Sequence, residues 1–411
     1  MSSNINKYSA RLYGWVTDRF PIDRFINEHL TKYYAPRNFN IWYYFGSLAL
    51  VVLVNQILTG IWLTMNYVPT ADSAFASIEY IMRDVSYGWL LRYMHSSGAS
   101  FFFILIYLHM FRSLLYGSHQ KPRELVWLFG MVIFLCLMAE AFMGYLLPWG
   151  QMSFWGAKVI TSLFGAVPFI GDWLVTFVTG DYNITTATLN RFFALHVVAL
   201  PMLILGLVVM HLSALHQVGS NNPDGIDIKK HKDPATGIPL DGIAFHPYYT
   251  VKDTVGVVVF LMVFSFVIFF MPEGFGYFLE APNFVPANAL KTPEHIAPVW
   301  YFTPFYSILR AVPNKLLGVI AMGASVAILF TVPWLDRSRV RSIRYRGNYY
   351  KIALALFVIC FVGLGYLGTL QPSPMRTLVA RLFTVWYFGF FILMPLYTKF
   401  DTFKQEPDRV I

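Results

Sequence analysis

The sequence predicts an all-α integral membrane protein of eight transmembrane helices, the first four forming a bundle. Apolar residues make up 56% of the 411 and charged residues only 13%. The charges sit mostly between long apolar stretches rather than inside them, the mark of a polytopic membrane chain. Four histidines, His95, His109, His196 and His211, lie inside two of those stretches at spacings of 14 and 15 residues.

Residues 1–40 are polar and aromatic with scattered Lys and Arg. They lack the short apolar core of a cleavable signal and are expected to lie on the bilayer surface. The apolar stretches place spans at 41–67, 89–116, 124–147, 189–217, 253–272, 317–335, 349–370 and 376–399. Residues 41–218 form the expected bundle, 219–252 a polar connecting loop and 253–411 a second four-helix region. The connections 148–188 and 273–316 are too long for plain turns and rich in Pro, Gly and aromatics, so they are expected to carry function.

An even number of spans puts both termini on one side. With that side cytoplasmic, about 22 of the 31 Lys and Arg fall there and about 9 opposite, as the positive-inside rule requires. The run Arg337, Arg339, Arg341, Arg344, Arg346 is the sharpest marker. The net charge of +9 follows topology and forms no single patch, which argues against nucleic acid as a partner. Cys136 and Cys360 lie in separate spans with no Cys-x-x-Cys motif, so neither a disulfide framework, a zinc site nor covalent haem is expected.

At 1.5 Å per residue each histidine pair spans about 21 Å of a hydrocarbon core about 30 Å thick, with both members near one helix face. The second and fourth spans run the same way because the third returns between them. His95 then faces His196 near the outer side, and His109 faces His211 near the inner side. This is the arrangement of two bis-imidazole haems stacked across a membrane. Gly46 and Gly60 in the first span and Gly130 and Gly144 in the third are again 14 apart, where a macrocycle needs close backbone approach. Arg92 and Arg112, at the outer and inner ends of the second span, are candidates to pair with haem propionates.

The stretches Tyr-Gly-Trp-Leu-Leu-Arg-Tyr-Met-His (87–95), Gly-Tyr-Leu-Leu-Pro-Trp-Gly-Gln-Met-Ser-Phe-Trp-Gly-Ala (144–157), Ala-Thr-Leu-Asn-Arg-Phe-Phe-Ala-Leu-His (187–196) and Phe-His-Pro-Tyr-Tyr-Thr-Val-Lys-Asp (245–253) closely resemble the cytochrome b family of respiratory cytochrome bc complexes. The likeness runs from about residue 20 to 399. It implies a low-potential haem b on His95 and His196, a high-potential haem b on His109 and His211, and ubiquinol and ubiquinone as substrates. The partners it implies are a Rieske iron-sulfur protein and a cytochrome c1, in a homodimeric complex set among lipid in a bacterial inner membrane.

The resemblance also places quinol oxidation at the outer face, where Tyr145, Met152, Gly156, Trp300 and Tyr301 match the lining of that pocket. Quinone reduction falls at the inner face, near His216, Ser220, Lys252 and Asp253. Two departures stand out. The family's usual Pro-Glu-Trp-Tyr motif, whose glutamate is assigned to accepting a quinol proton, reads Pro-Val-Trp-Tyr here, with Val299. Some bacterial members share this form. Glu294 is the expected replacement acceptor, with His295 second. The 15-residue spacing of His196 and His211 is that of the photosynthetic relatives, against 14 in mitochondrial members. One extra residue turns the second ligand by about 100° unless the helix bends or tightens. Pro201 is the expected site of that adjustment.

The implied reaction divides the two electrons of a quinol at the outer face, one leaving to the Rieske protein and the other passing inward. Against an inside-negative potential the inward step costs roughly 1.6 kcal/mol per 100 mV over about 21 of 30 Å. Axial ligation cannot separate two bis-histidine sites, so burial, propionate partners and local charge must set the potentials. A membrane anchor of a dehydrogenase or hydrogenase would also use bis-histidine haems, with fewer spans, and a proton-relay transporter would bind no haem.

Overall fold

The computed structural model describes residues 2–21, 23, 27 and 31–411; the rest of the expected surface segment 1–40 lies outside the described residues. Within it Ser2–Thr17 is helical, with Leu12, Tyr13 and Trp15 exposed, the character of a helix lying along an apolar boundary.

Eight apolar helices follow: α1 (Ile41–Thr64), α2 (Gly88–Tyr116), α3 (Glu124–Leu146), α4 (Thr186–Val218), α5 (Phe245–Phe270), α6 (Lys315–Phe330), α7 (Asn348–Thr369) and α8 (Pro374–Ile392). All except α6 have the length and composition to cross a membrane. The stretch predicted as a span at 317–335 instead gives a 16-residue helix, then a short turn Val332–Leu335 holding Pro333, where the ring ends the hydrogen-bond ladder. The helices are apolar around their circumference, as lipid requires. Only 11% of the most apolar window of α5 is buried inside the protein. Helix α5 begins at Phe245 rather than 253, and the charges of Lys252 and Asp253 ride on its first turns.

Helix α1 packs on α2 and α3 on α4, while α5 lies against α1 and α2, and α7 packs on α8 and on a short helix Thr303–Ala311. One end of the molecule joins three connections. The Tyr67 hydroxyl donates to the Leu147 carbonyl at 2.6 Å, Gln151 N–H to Val285 at 2.9 Å and the Ser97 hydroxyl to Pro272 at 2.6 Å. The long connection after α3 is itself helical at Gln151–Phe164 and Gly171–Thr179.

The opposite end carries a two-stranded antiparallel sheet, β1 (Tyr34–Pro36) with β2 (Gly242–Ala244), in the register Tyr34↔Ala244. Three-residue strands carry too little alternation to be legible in sequence. The arginine run lies here and is tied into the protein. Arg341 donates to the carbonyls of Gly225 (2.9 Å) and Lys121 (3.0 Å), Arg344 pairs with Asp224 at 2.7 Å, and buried Arg346 pairs with buried Asp336 at 2.6 Å. His119, from the turn after α2, meets the same Asp336 oxygen at 2.9 Å.

Helix α6 runs between these two ends. Beside its start Arg381 donates to Ala311 at 2.9 Å and Arg310 to Leu370 at 3.0 Å, while near its finish the Trp127 indole donates to Leu329 at 2.8 Å.

Candidate redox centre

The four histidines meet as two pairs. The rings of His95 and His196 have centroids 6.1 Å apart, and those of His109 and His211 are 6.3 Å apart. Two imidazoles sharing a metal through bonds of about 2.0 Å place their ring centroids roughly 6.3 Å apart, so both pairs stand at the separation of axial ligands. Among the described residues no three His, Cys, Asp or Glu side chains converge on one point. A metal here would need its remaining ligands from a macrocycle, as in haem.

Each glycine of the 14-residue pattern faces one imidazole. A Cβ at Gly60 would lie 3.1 Å from His95 Cε1, at Gly46 3.1 Å from His109, at Gly130 3.3 Å from His211, and at Gly144 only 2.4 Å from His196. The glycines therefore make room for the imidazole rings themselves.

The Thr59 hydroxyl donates to the Asn55 carbonyl at 2.6 Å, so it accepts from His95 Nδ1 at 3.0 Å. His196 Nδ1 reaches the Glu140 carbonyl at 2.9 Å and a Glu140 carboxylate oxygen at 3.0 Å. With Nδ1 protonated and engaged, Nε2 of both outer rings is left as the ligating nitrogen. In the inner pair, His109 Nδ1 is buried without a hydrogen bond among the described residues, and His211 faces the Val126 backbone.

Arg112 lies 4.9 Å over the Tyr43 ring, and its Nε is buried without a partner among the described residues, which fits an anionic propionate. Arg92 is partly buried one turn before Ser96, whose hydroxyl donates to the Arg92 carbonyl at 2.9 Å.

The extra residue between His196 and His211 is absorbed at the first ligand. Leu195–Ala199 forms a π-helical turn, closed by Leu200 N–H to the Leu195 carbonyl. A π turn takes in one residue more than an α turn, so the helix widens where tightening or bending was the expectation. Pro201 follows directly and has no N–H to offer Val197, which favours the wider turn.

At the end that holds the 148–188 connection, a cavity of about 610 Å³ is lined by Ile104, Tyr107, Met271, Phe275, Phe278 and Trp300 among others. The Trp300 indole donates to Ser100 at 3.0 Å, and Tyr301 stacks on Phe103 at 4.0 Å while its carbonyl accepts from Tyr107 at 2.5 Å. Tyr145 is brought to a residue the sequence reading missed, donating its hydroxyl to Glu280 at 2.7 Å. Burial pushes Glu280 up to about 7, partly offset by the Tyr145 hydrogen bond. Burial, with Glu280 nearby, also raises the Tyr301 phenol. Gly156 sits 3.8 Å, by its would-be Cβ, from Tyr145, and Met152 and Val299 are buried. The expected acceptor Glu294 is exposed on its loop, and His295 is engaged with the Thr369 carbonyl at 3.1 Å. The structure thus gathers Tyr145, Gly156 and Glu280, and leaves Glu294 outside.

At the other end Tyr33 stacks on His216 at 4.4 Å, its hydroxyl lies 3.3 Å from that of Ser220, and its ring meets Phe245 at the start of α5. Lys252 donates to the Phe39 carbonyl at 3.3 Å, with Asp253 beside it on α5.

Residues 30–219 match the family described as cytochrome b/b6/petB, and residues 286–388 the family cytochrome b (C-terminal)/b6/petD. The chain belongs to the cytochrome b family. It is 59% identical to cytochrome b of Allochromatium vinosum over 97% of each chain. It is 49% identical to cytochrome b of Rhodospirillum rubrum, over 98% of this chain and 96% of that one. A solved structure titled hyperthermophilic respiratory Complex III shares 37% identity and a TM-score of 0.86, covering 94% of this chain and 98% of that one. Membership of the cytochrome b family implies haem b, and with seven long apolar helices among its described residues the chain is an integral membrane protein.

Glu140, Glu280, Thr59 and Tyr33 are the residues that sequence reasoning missed. A carboxylate inside an apolar span is itself a functional signal, so Glu140 could have been found. Glu280 lies in an irregular loop 135 residues from Tyr145, and no local pattern announces it.

Proposed function

We propose that this cytochrome b oxidises quinol at its outer end and reduces quinone at its inner end, as the redox subunit of a quinol-cytochrome c reductase. The observation carrying the proposal is the pair of imidazole couples at axial-ligand separation, each ring backed by a glycine. When bound, two b-type haems, one held by His95 and His196 and one by His109 and His211, supply one-electron transfer across the membrane.

At the outer end the aromatic cavity beside Trp300 suits a quinone ring. Glu280 accepts a proton from the quinol hydroxyl, and the Tyr145 hydrogen bond holds its carboxylate in place. Raised to about 7, Glu280 is matched to proton exchange near neutrality. It takes the role that Val299 cannot fill, in place of Glu294. At the inner end His216, Ser220, Lys252 and Asp253, with Tyr33 joining the first two, supply donors and protons to the reduced quinone.

The partners would be a Rieske protein and a cytochrome c1 in a dimeric complex, in the inner membrane of a bacterium. Counting α6 with its following turn as a crossing, both termini are cytoplasmic. Adding quinol to the oxidised complex should reduce the haems, and a strobilurin-type inhibitor should block the outer route. Quinol that reduces no haem with or without inhibitor would contradict this function.

A further inference from the structure

The side chains gathered at the inner end stand on a ribbon too small to hold itself. Tyr33, stacked on His216, directly precedes β1, and Phe245, which meets Tyr33, directly follows β2. Phe245 N–H donates to the Tyr33 carbonyl at 2.8 Å, and at the other end of the ribbon Arg37 N–H donates to the Asp241 carbonyl at 3.1 Å. Two isolated strands of three residues are not stable on their own. What closes the ribbon at Asp241 is the segment Arg409–Ile411, from far along the chain. Arg409 grips both carboxylate oxygens of Asp241, Nε to Oδ2 at 2.7 Å and Nη2 to Oδ1 at 2.8 Å, and Val410 N–H adds a third bond at 3.3 Å. Arg37, directly after β1, donates to the Val410 carbonyl at 2.6 Å, and Ile411 N–H reaches buried Asp224 at 3.1 Å.

We infer that Arg409, through Asp241, is a positioning residue for the inner site: its two-pronged grip fixes the β1–β2 ribbon, so that Tyr33 stays stacked on His216 and quinone meets donors already in place. The inference rests on the inner-end quinone reduction proposed above. The Asp241 side chain is fully buried at 0% exposure, whereas that of Arg409 is 46% exposed, so it is the carboxylate that depends on the pair. Without Arg409 a buried charge is left uncompensated. The nearest other cation, Arg37, stands 3.7 Å away by the same nitrogen that serves the Val410 carbonyl. The carboxylate then turns toward water and draws β2, with Phe245, out of register with Tyr33. The start of α5 shares this support, since the Tyr249 hydroxyl donates to the Pro36 carbonyl and Lys252 to that of Phe39.

The experiment uses the whole complex in membranes, with the outer site blocked by a strobilurin-type inhibitor, and follows reoxidation of the reduced haems by a soluble short-chain quinone. Arg409→Gln should raise the KM for quinone about tenfold while kcat stays within about twofold of native. Haem content, and the KM for quinol in the uninhibited complex, should match the native protein. Arg409→Lys, which keeps the charge but loses the fork, should fall between. On a Tyr33→Ala background Arg409→Gln should add less than about twofold, because the residue it acts through is gone. A native KM for quinone in Arg409→Gln, an equal rise for quinol and quinone, or effects that multiply in the double variant would overturn the inference. If Arg409→Gln does not assemble, Arg409→Lys decides. An assembled complex with a raised KM for quinone supports the role, whereas a native KM or loss of the complex overturns it. Failure of the inner site itself would show separately, as a native complex whose reduced haems quinone does not reoxidise.

Discussion

The outer and inner histidine pairs share spacing, glycine notches and helix pairing, but they differ in what holds the rings. Outside, Thr59 and Glu140 engage Nδ1 of His95 and His196. Inside, the residues at the same offsets are Phe45 and Val126; the Val126 backbone faces His211 as the Glu140 carbonyl faces His196, while His109 Nδ1 finds no hydrogen bond among the described residues. One helical repeat has therefore been built twice and furnished differently. Geometry makes the two pairs alike, and their polar neighbours make them unlike. In a membrane interior such contacts count for more, because water cannot substitute for them.

The largest effect should come from closing the notches unequally. Gly144→Ala puts a carbon 2.4 Å from the His196 ring, whereas Gly130→Ala approaches His211 only to 3.3 Å. Haem content should fall from two to about one per chain for the first substitution and stay near two for the second. Equal losses would show that the notches are not tuned to their rings.

Next in size is the proton acceptor. With Glu280 ionising at about 7, its carboxylate form grows as pH rises, so quinol oxidation should climb through that pH. Glu280→Gln should lower turnover on the order of a hundredfold and flatten the climb, and Glu294→Gln should do neither. The reverse outcome would restore Glu294.

Thr59→Val removes the acceptor for His95 Nδ1 and should weaken outer-haem retention by about 1 kcal/mol, seen as faster haem loss in mild denaturant. The inner haem should be indifferent. The smallest change is expected from Tyr33→Phe, which keeps the stack on His216 and drops the contact to Ser220. Inner-site KM should rise about threefold, the size of one modest hydrogen bond, with haem content unchanged.

How much of this could be read in advance follows from periodicity. The histidines and glycines are legible because a helix fixes 1.5 Å and 100° per residue, so matched spacings become matched positions. The π turn at Leu195–Ala199 was half legible: the sequence showed a residue too many and a proline nearby, but not that the helix would widen. Glu280 and Tyr33 were illegible because loops, not helices, bring them to Tyr145 and His216. Glu294 lies exposed on its loop for a related reason, since nearness along the chain to Val299 does not place a side chain in the pocket. The short α6 was read as longer because its apolar run continues through Pro333.

The most direct test of the account is the haem-to-polypeptide ratio of the purified chain, measured again with His95, His109, His196 and His211 each replaced by leucine. The account predicts about two haems in the native chain and about one in every variant, with the outer haem lost for His95 and His196 and the inner for the other two. A ratio that survives any of these replacements would contradict it.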